Sequence, residues 1–218
     1  GTGSNDTRHG VELTRQAAAT GAAGVLCVTP YYNRPSQAGI EAHFRAFAEA
    51  TELPLVIYDI PVRTGRRVDT DTILRLVREV PNIVAVKDAL GLPGESARLV
   101  AEAGDGFELY SGDDNLTLPL LSIGAVGLIG VATHWAAAEA KEMITSFKKG
   151  DVESARQLNA RLLESWAFET GDLNPNPIPA KAMLRTLGQP AGPTRPPMGP
   201  CPDGLEDRAR QVMKHLRG

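Results

Sequence analysis

Five short apolar runs rich in Val, Ile and Leu occur along the first part of the chain, and each is followed by a turn and an amphipathic segment. This alternation predicts repeated βα units. The runs are apolar at almost every position, so we expect parallel strands that are buried on both faces. The predicted strands are 24–29, 55–60, 83–87, 107–111 and 127–131. The predicted helices are 6–20, 36–50, 71–80, 95–103 and 116–123.

The pattern changes after the fifth run, where apolar residues recur only at three- and four-residue steps. A Pro-punctuated stretch and a loop dense in Pro and Gly separate the later helices. We predict two domains, a catalytic βα domain over 1–149 and a C-terminal helical domain over 150–218. The predicted helices of this part are 134–149, 151–168, 180–187 and 205–216.

The parallel strands fit either an open doubly wound sheet or part of a closed barrel. No strand is followed by a G-x-G-x-x-G turn, which disfavours a dinucleotide-binding sheet. The polar residues of interest lie at strand ends, where (β/α)8 barrels keep their active sites. A complete barrel needs about 250 residues, and only about 150 here belong to βα units. We therefore expect the natural protein to be longer by about three N-terminal strands.

Composition narrows the classes of partner. The chain has 218 residues, 42% of them hydrophobic, and a net charge of -3 with no basic cluster, so nucleic acid and anionic lipid are not expected partners. The apolar stretches are too short for a membrane span and no signal segment opens the chain, so we expect a cytoplasmic protein. The two cysteines and four scattered histidines have no ligand spacing, and we predict no metal.

Lys87 and Tyr58 each end an apolar run. Desolvation lowers the pKa of a lysine and releases the neutral amine, which attacks a carbonyl carbon to give a Schiff base. The alternative is a structural lysine paired with Asp88 or Asp113. The Tyr58 phenol could transfer a proton to the resulting intermediate, or it could be a core tyrosine bonded to the backbone.

Other polar residues also follow predicted strands. Arg63 lies in a predicted loop, where its fork of donors suits a substrate carboxylate, although most loop arginines are simply solvated. Gly112 would let backbone groups approach a small ligand closely, or it belongs to a plain helix cap. Tyr31 and Tyr32 follow the first strand. We expect one of them to point inward and the other to face a partner subunit.

Eight stretches together resemble the dihydrodipicolinate synthase and N-acetylneuraminate lyase family of class I aldolases, which are (β/α)8 barrels with a C-terminal helical domain. Their order and spacing are more specific than any one of them, and they extend over essentially the whole chain. The RTG motif and the paired tyrosines are closer to the synthase branch than to the lyases. The stretches are GTGSN (1–5), VTPYYN (28–33), YDIPVRTG (58–65), VKDA (86–89), SGDD (111–114), GLIGV (127–131), NPIP (176–179) and RPPM (195–198).

The resemblance implies an enzyme that condenses pyruvate with L-aspartate 4-semialdehyde to give 4-hydroxy-tetrahydrodipicolinate, on the way to diaminopimelate and lysine. Lys87 would form the Schiff base with pyruvate, so no separate cofactor is expected, and Tyr58 would transfer protons. The family usually forms a homotetramer of two tight dimers. The alternatives are a pyruvate-dependent aldolase for a sugar acid or 4-hydroxy-2-oxoglutarate, and a truncated, non-catalytic protein that binds small molecules.

Further residues match family positions by resemblance. Tyr32 matches the tyrosine that the family inserts across a dimer interface into the neighbouring site. The resemblance therefore implies a catalytic role for Tyr32 in the active site of a second subunit. Arg63 matches the residue that binds the carboxylate of the semialdehyde. Gly112 and Ile129 match positions that line the pyruvate pocket.

Three features depart from the family pattern. The Thr-Thr-Gly-Glu loop that contacts pyruvate in the family would lie upstream of Gly1, so we expect poor activity from these residues alone. Asp59 stands where many relatives have Asn. Asn5 and Tyr31 match an allosteric lysine site, but His9 stands where lysine-inhibited members carry an acidic residue. A cation is a poor partner for lysine, so we expect weak or no feedback inhibition.

Overall fold

The computed structural model, which describes residues 1–218, contains one sheet of five parallel strands. Each strand pairs with the next one along the chain, in the order β1-β2-β3-β4-β5. This architecture confirms the predicted parallel α/β class. The strands are β1 (Val25–Val28), β2 (Leu55–Asp59), β3 (Ile83–Asp88), β4 (Glu108–Ser111) and β5 (Gly127–Leu128).

Six α-helices accompany these strands, and five of them agree with prediction to within two residues at each end. The exception is α3, a single turn after β2 that the sequence analysis assigned to a loop. Among the strands, β5 ends at Leu128, earlier than predicted. The helices are α1 (Thr7–Ala18), α2 (Gln37–Glu49), α3 (Pro61–Thr64), α4 (Thr70–Glu79), α5 (Pro93–Ala103) and α6 (Thr117–Leu121).

Local chemistry explains where the first helices begin. The Asp6 carboxylate accepts a hydrogen bond from His9 N at 3.1 Å and caps α1, as an N-cap aspartate does. Ser36 caps α2 in the same way. In α2, Phe44 and Phe47 are fully buried on the face that packs into the core of this unit.

The two faces of the sheet are not equally buried. Side chains alternate along a strand, and in β1 and β2 every second residue is buried while the residues between them are only half-buried. Cys27, Leu55 and Ile57 belong to the buried set, in the core shared with the helices. The expectation of strands buried on both faces was therefore wrong. Helices of this unit cover one face, and a sheet of five strands does not close to bury the other.

The chain divides into two compact units, Gly1–Ile129 and Gly130–Gly218. The second contains only helices, and Trp135 Nε1 donates to Ser165 Oγ between its first two. The helix predicted at 134–149 belongs to this unit, while the functional division after residue 149 stays a prediction. No helix combines the length and apolarity that a bilayer crossing needs. The helices are α7 (Thr133–Lys148), α8 (Val152–Glu169), α9 (Ile178–Thr186) and α10 (Leu205–Arg217).

Candidate active site

The carboxyl ends of β2 and β3 bring Tyr58 and Lys87 side by side. The two residues are partners in the parallel register, so their side chains leave the sheet on the same face. Lys87 Nζ lies 4.1 Å from the centroid of the Tyr58 ring, within the range of a cation–π contact. Both residues are half-buried. The structure therefore joins two residues that the sequence places at the ends of separate apolar runs.

Gly112 lies against the stem of Lys87. Its N–H donates to the Asp88 carbonyl at 2.7 Å, and a Cβ added at this position would lie 2.8 Å from Lys87 Cγ and 3.1 Å from the Asp88 carbonyl oxygen. Any side chain here would therefore displace the lysine or the end of β3. Ile129, directly after β5, donates its N–H to the Ser111 carbonyl at 2.9 Å. The strand ends thus hold both predicted pocket residues.

Arg63 lies in α3, which corrects the expectation of a loop at this position. Pro61 occupies the first turn, where its fixed φ favours helix and its missing N–H leaves no bond unmade. The turn ends at Gly65 with φ +79°, and the side chain of Arg34 packs over this glycine, with its Cδ 3.3 Å from where a Cβ would be. The Arg63 residue itself is exposed and open to a ligand from solvent.

The electrostatics of Tyr58 favour the protonated phenol. Burial raises the pKa of Tyr58, the positive charge of Arg63 opposes the rise, and Asp113 and Asp114 add to it. Burial also raises the pKa of the Asp113 carboxyl. A phenol with a raised pKa holds its proton at neutral pH and can donate it when a substrate oxygen develops negative charge.

Tyr32 has the most unusual backbone near these residues. Its φ is +74°, and Asn33 N donates to the Tyr31 carbonyl at 2.9 Å, which closes a three-residue turn around it. A turn of this kind is strained for a residue with a side chain. Tyr32 is 90% exposed and Tyr31 42%. Neither tyrosine is buried within this chain, and the expectation that one of them points inward stays a prediction.

Two of the three residues that match the allosteric site, Asn5 and Tyr31, lie on loops that a side chain joins. Asn33 Nδ2 donates to the Asn5 carbonyl at 2.9 Å, which links the first loop to the one carrying Tyr31. His9 is exposed on α1, with its ring 4.0 Å from the Glu12 carboxylate. The roles assigned to Asn5, His9 and Tyr31 stay predictions.

Two buried aspartates have a structural role that the sequence analysis did not predict. Asp59 accepts a hydrogen bond from Val68 N at 3.2 Å, and Asp88 accepts from Leu90 N and from the Ser96 hydroxyl. Each follows directly after Tyr58 or Lys87, so it points to the opposite face of the sheet. The sequence does contain a signal for this role, because an aspartate directly follows each of the two candidate catalytic residues.

Comparison with known proteins decides the family. The model of the dihydrodipicolinate synthetase family matches residues 1–216. The chain belongs to this family. The match extends over the strand ends that carry Tyr58, Lys87 and Gly112 as well as over the helices of the second unit.

Individual members of the family are similar over the whole chain. The 4-hydroxy-tetrahydrodipicolinate synthase of Parasynechococcus marenigrum is 45% identical over 218 residues, which are all of this chain and 71% of that protein. The dihydrodipicolinate synthase structure from Cyanidioschyzon merolae, which has lysine bound, is 43% identical with a TM-score of 0.96, covering all of this chain and 73% of that one. The chloride-inhibited dihydrodipicolinate synthase from Acinetobacter baumannii, complexed with pyruvate, is 36% identical with a TM-score of 0.92. The match covers 100% of this chain and 74% of that one.

Proposed function

We propose that this chain has 4-hydroxy-tetrahydrodipicolinate synthase activity and condenses pyruvate with L-aspartate 4-semialdehyde. The observation that carries the proposal is the contact of Lys87 with Tyr58 at adjacent strand ends in a member of this family. The Parasynechococcus marenigrum relative carries the name of this activity. Pyruvate is the compound in the complex of the Acinetobacter baumannii enzyme. Both names support the choice of substrates.

In the proposed reaction the neutral amine of Lys87 adds to the ketone carbon of pyruvate and, with loss of one water, forms an imine. Loss of a methyl proton converts the imine into an enamine, whose terminal carbon bonds to the aldehyde carbon of the second substrate. The amino group of that substrate then displaces Lys87 from the imine carbon. This step closes the ring and frees the lysine, so the reaction needs no separate cofactor.

Tyr58 would supply and remove the protons of these steps. Its ring lies against Lys87, which brings the phenol close to the carbon that the lysine attacks. Because the pKa of Tyr58 is raised by burial, the phenol starts each cycle protonated and can donate to the oxygen that leaves as water.

Arg63 would select the acceptor aldehyde. Its exposed guanidinium, one helical turn beyond β2, offers paired donors to the carboxylate of the semialdehyde. The second candidate function is a pyruvate-dependent aldolase for a sugar acid or 4-hydroxy-2-oxoglutarate. Arg63 is the feature that favours the semialdehyde, and turnover of the two substrate types separates the candidates. Gly112 and Ile129 would border the pyruvate, since both lie at the strand ends next to Lys87.

We also propose that the active form is a cytoplasmic homotetramer built from two dimers. The exposed ring of Tyr32, held out on a strained turn, is suited to reach the site of a second copy. Sedimentation equilibrium tests this part, and a monomer that turns over both substrates would contradict it.

Borohydride reduction in the presence of pyruvate, followed by peptide mass mapping, tests the central step. We expect a reduced pyruvyl adduct on the peptide that contains Lys87. The matched control is Lys87→Arg, which keeps the positive charge and lacks the primary amine, and it should give no adduct. A folded wild type without any adduct would contradict the proposed function. An adduct without turnover of the semialdehyde would favour the second candidate.

A further inference from the structure

The segment Ile60–Val68 connects β2 to α4 and carries Arg63 away from the sheet. Its middle is held by Thr64, whose buried hydroxyl lies 3.1 Å from the Ile60 carbonyl and 2.9 Å from the Arg66 carbonyl. These contacts fix the turn of α3 but do not attach the segment to the strand. Its start is continuous with β2, so its orientation depends on how its far end is held.

The Gln37 side chain ties the far end to α2, through the Arg67 carbonyl at 3.0 Å and Asp69 N at 2.9 Å, and the carboxyl of Asp59 ties it to β2. Asp59 is 2% exposed and Val68 1% exposed, and Asp59 Oδ1 accepts the Val68 N–H at 3.2 Å. A buried N–H left without a partner is unfavourable, because it loses its hydrogen bond to water and gains none in return. One side chain at the last position of β2 therefore returns the far end of the segment to the strand from which it starts.

We propose that Asp59 is a positioning residue, which holds the Ile60–Val68 segment in place and so sets where Arg63 meets the substrate. The role of Arg63 in binding the semialdehyde rests on the proposed function, whereas the attachment through Val68 does not. Asp59 touches no reacting atom, because it lies on the face of the sheet opposite Tyr58 and Lys87.

The attachment needs an acceptor oxygen and does not need a charge. Burial raises the pKa of Asp59 to about 7. The Val68 N–H and, more weakly, the positive charge of Arg67 oppose this rise, whereas the negative charges of Asp88 and Asp69 add to it. Both forms of the carboxyl keep an oxygen that accepts from Val68, and the amide oxygen of asparagine does the same. We therefore expect Asp59→Asn to keep the attachment and Asp59→Leu or Asp59→Ala to lose it.

Hydrogen–deuterium exchange of the full chain tests the attachment without any need for activity. In Asp59→Leu and Asp59→Ala we expect the peptide that covers residues 60–68 to exchange at least about tenfold faster, because the Val68 amide has lost its partner. Peptides from α2 and β3 should keep their rates. Asp59→Asn should match the wild type. The matched control is Asp69→Ala, which removes a carboxylate from the same region that bonds Arg67 instead of Val68.

Steady-state kinetics on the same variants test the consequence for Arg63. We expect KM for aspartate semialdehyde to rise about tenfold in Asp59→Leu and Asp59→Ala, since a small misplacement of a binding group weakens that substrate alone. KM for pyruvate should change less than about twofold, and Asp59→Asn should restore the semialdehyde KM.

Three results would overturn the inference: unchanged exchange at 60–68, faster exchange spread over the whole chain, or equal changes in both KM values. If the wild type forms no pyruvate adduct, the proposed function fails, and the exchange experiment still decides whether Asp59 holds the segment.

Discussion

The two faces of the sheet differ at the ends of the same two strands. On one face Tyr58 and Lys87 are half-buried and touch each other. On the other face Asp59 and Asp88, one position further along each strand, are 2% and 5% exposed and lie beneath the helices. Neighbouring positions in the chain therefore have opposite surroundings.

This difference assigns the proposed reaction to one face of the sheet and structural support to the other. The half-buried face offers a phenol and an amine that a small substrate can reach. On the buried face each carboxyl bonds the segment that follows its strand, Asp59 through Val68 and Asp88 through Leu90 and Ser96. We therefore expect changes on the first face to alter rates with little effect on stability, and changes on the second to alter stability or the position of a segment.

The sharpest test of the reactive face is Tyr58→Phe. The ring that lies against Lys87 is kept, and only the hydroxyl is lost. We expect turnover to fall about a thousandfold, because a positioned general acid contributes about 10²–10⁴-fold, while urea unfolding changes little. Stopped assays give the rate, and borohydride trapping checks that Lys87 still accepts pyruvate. A rate within about tenfold of wild type would remove Tyr58 from the proton-transfer steps.

The supporting face should show itself in the pH dependence of stability. The pKa of Asp59 is about 7 in the folded chain against 3.8 for an ordinary aspartate, so the folded state binds more protons between these values. The contribution of Asp59 to stability should therefore fall as the pH rises from about 4 to about 7, by a total on the order of 4 kcal/mol.

Urea unfolding of the wild type and Asp59→Asn across that pH range measures the effect of Asp59 alone, since every other titrating group is shared. We expect the wild type to lose stability relative to the variant as the pH rises. Asp69→Asn, which alters a partly exposed carboxylate, is the control. Parallel curves for wild type and Asp59→Asn would mean that the pKa of Asp59 is not raised in the folded chain.

Gly112→Ala tests whether one change at a strand end disturbs both the Lys87 side chain and the end of β3. The new Cβ would meet Lys87 Cγ at 2.8 Å and the Asp88 carbonyl at 3.1 Å, so it should displace both. We expect a loss of about 2 kcal/mol of stability from overpacking and slower trapping of pyruvate. Gly94→Ala on α5, where the added Cβ meets nothing within 4 Å, is the matched control. Unchanged trapping would show that the lysine stem tolerates displacement.

Most of the fold could be predicted because it depends on local patterns. The apolar run that Lys87 ends and the amphipathic spacing of Phe44 and Phe47 are visible in the sequence, and both elements formed within one residue of the predicted ends. The single turn α3 was missed because it is too short to show a helical period. The unequal burial of the sheet was missed because it depends on which layers pack against each face, which no single strand encodes.

The site could be predicted only in part, for the same reason. Lys87 and Tyr58 stand out because polar groups end apolar runs, and the resemblance to a family supplies their roles. The contact between them depends on the register of β2 with β3, which the sequence does not state. The role of Asp59 depends on a hydrogen bond to Val68 across a turn. Long-range pairing of this kind is visible only in the folded chain.

The smallest expected effect belongs to Ser96→Ala, which should lower stability without changing turnover. The Ser96 hydroxyl donates to Asp88, and Leu90 N still donates to that carboxyl when the hydroxyl is gone. We expect a loss of about 1 kcal/mol in urea unfolding, with turnover unchanged to within about twofold. Ser122→Ala, at an exposed hydroxyl, is the control and should cost less. A large fall in turnover at full stability would show that the buried face also tunes Lys87, and the division between the two faces would then be wrong.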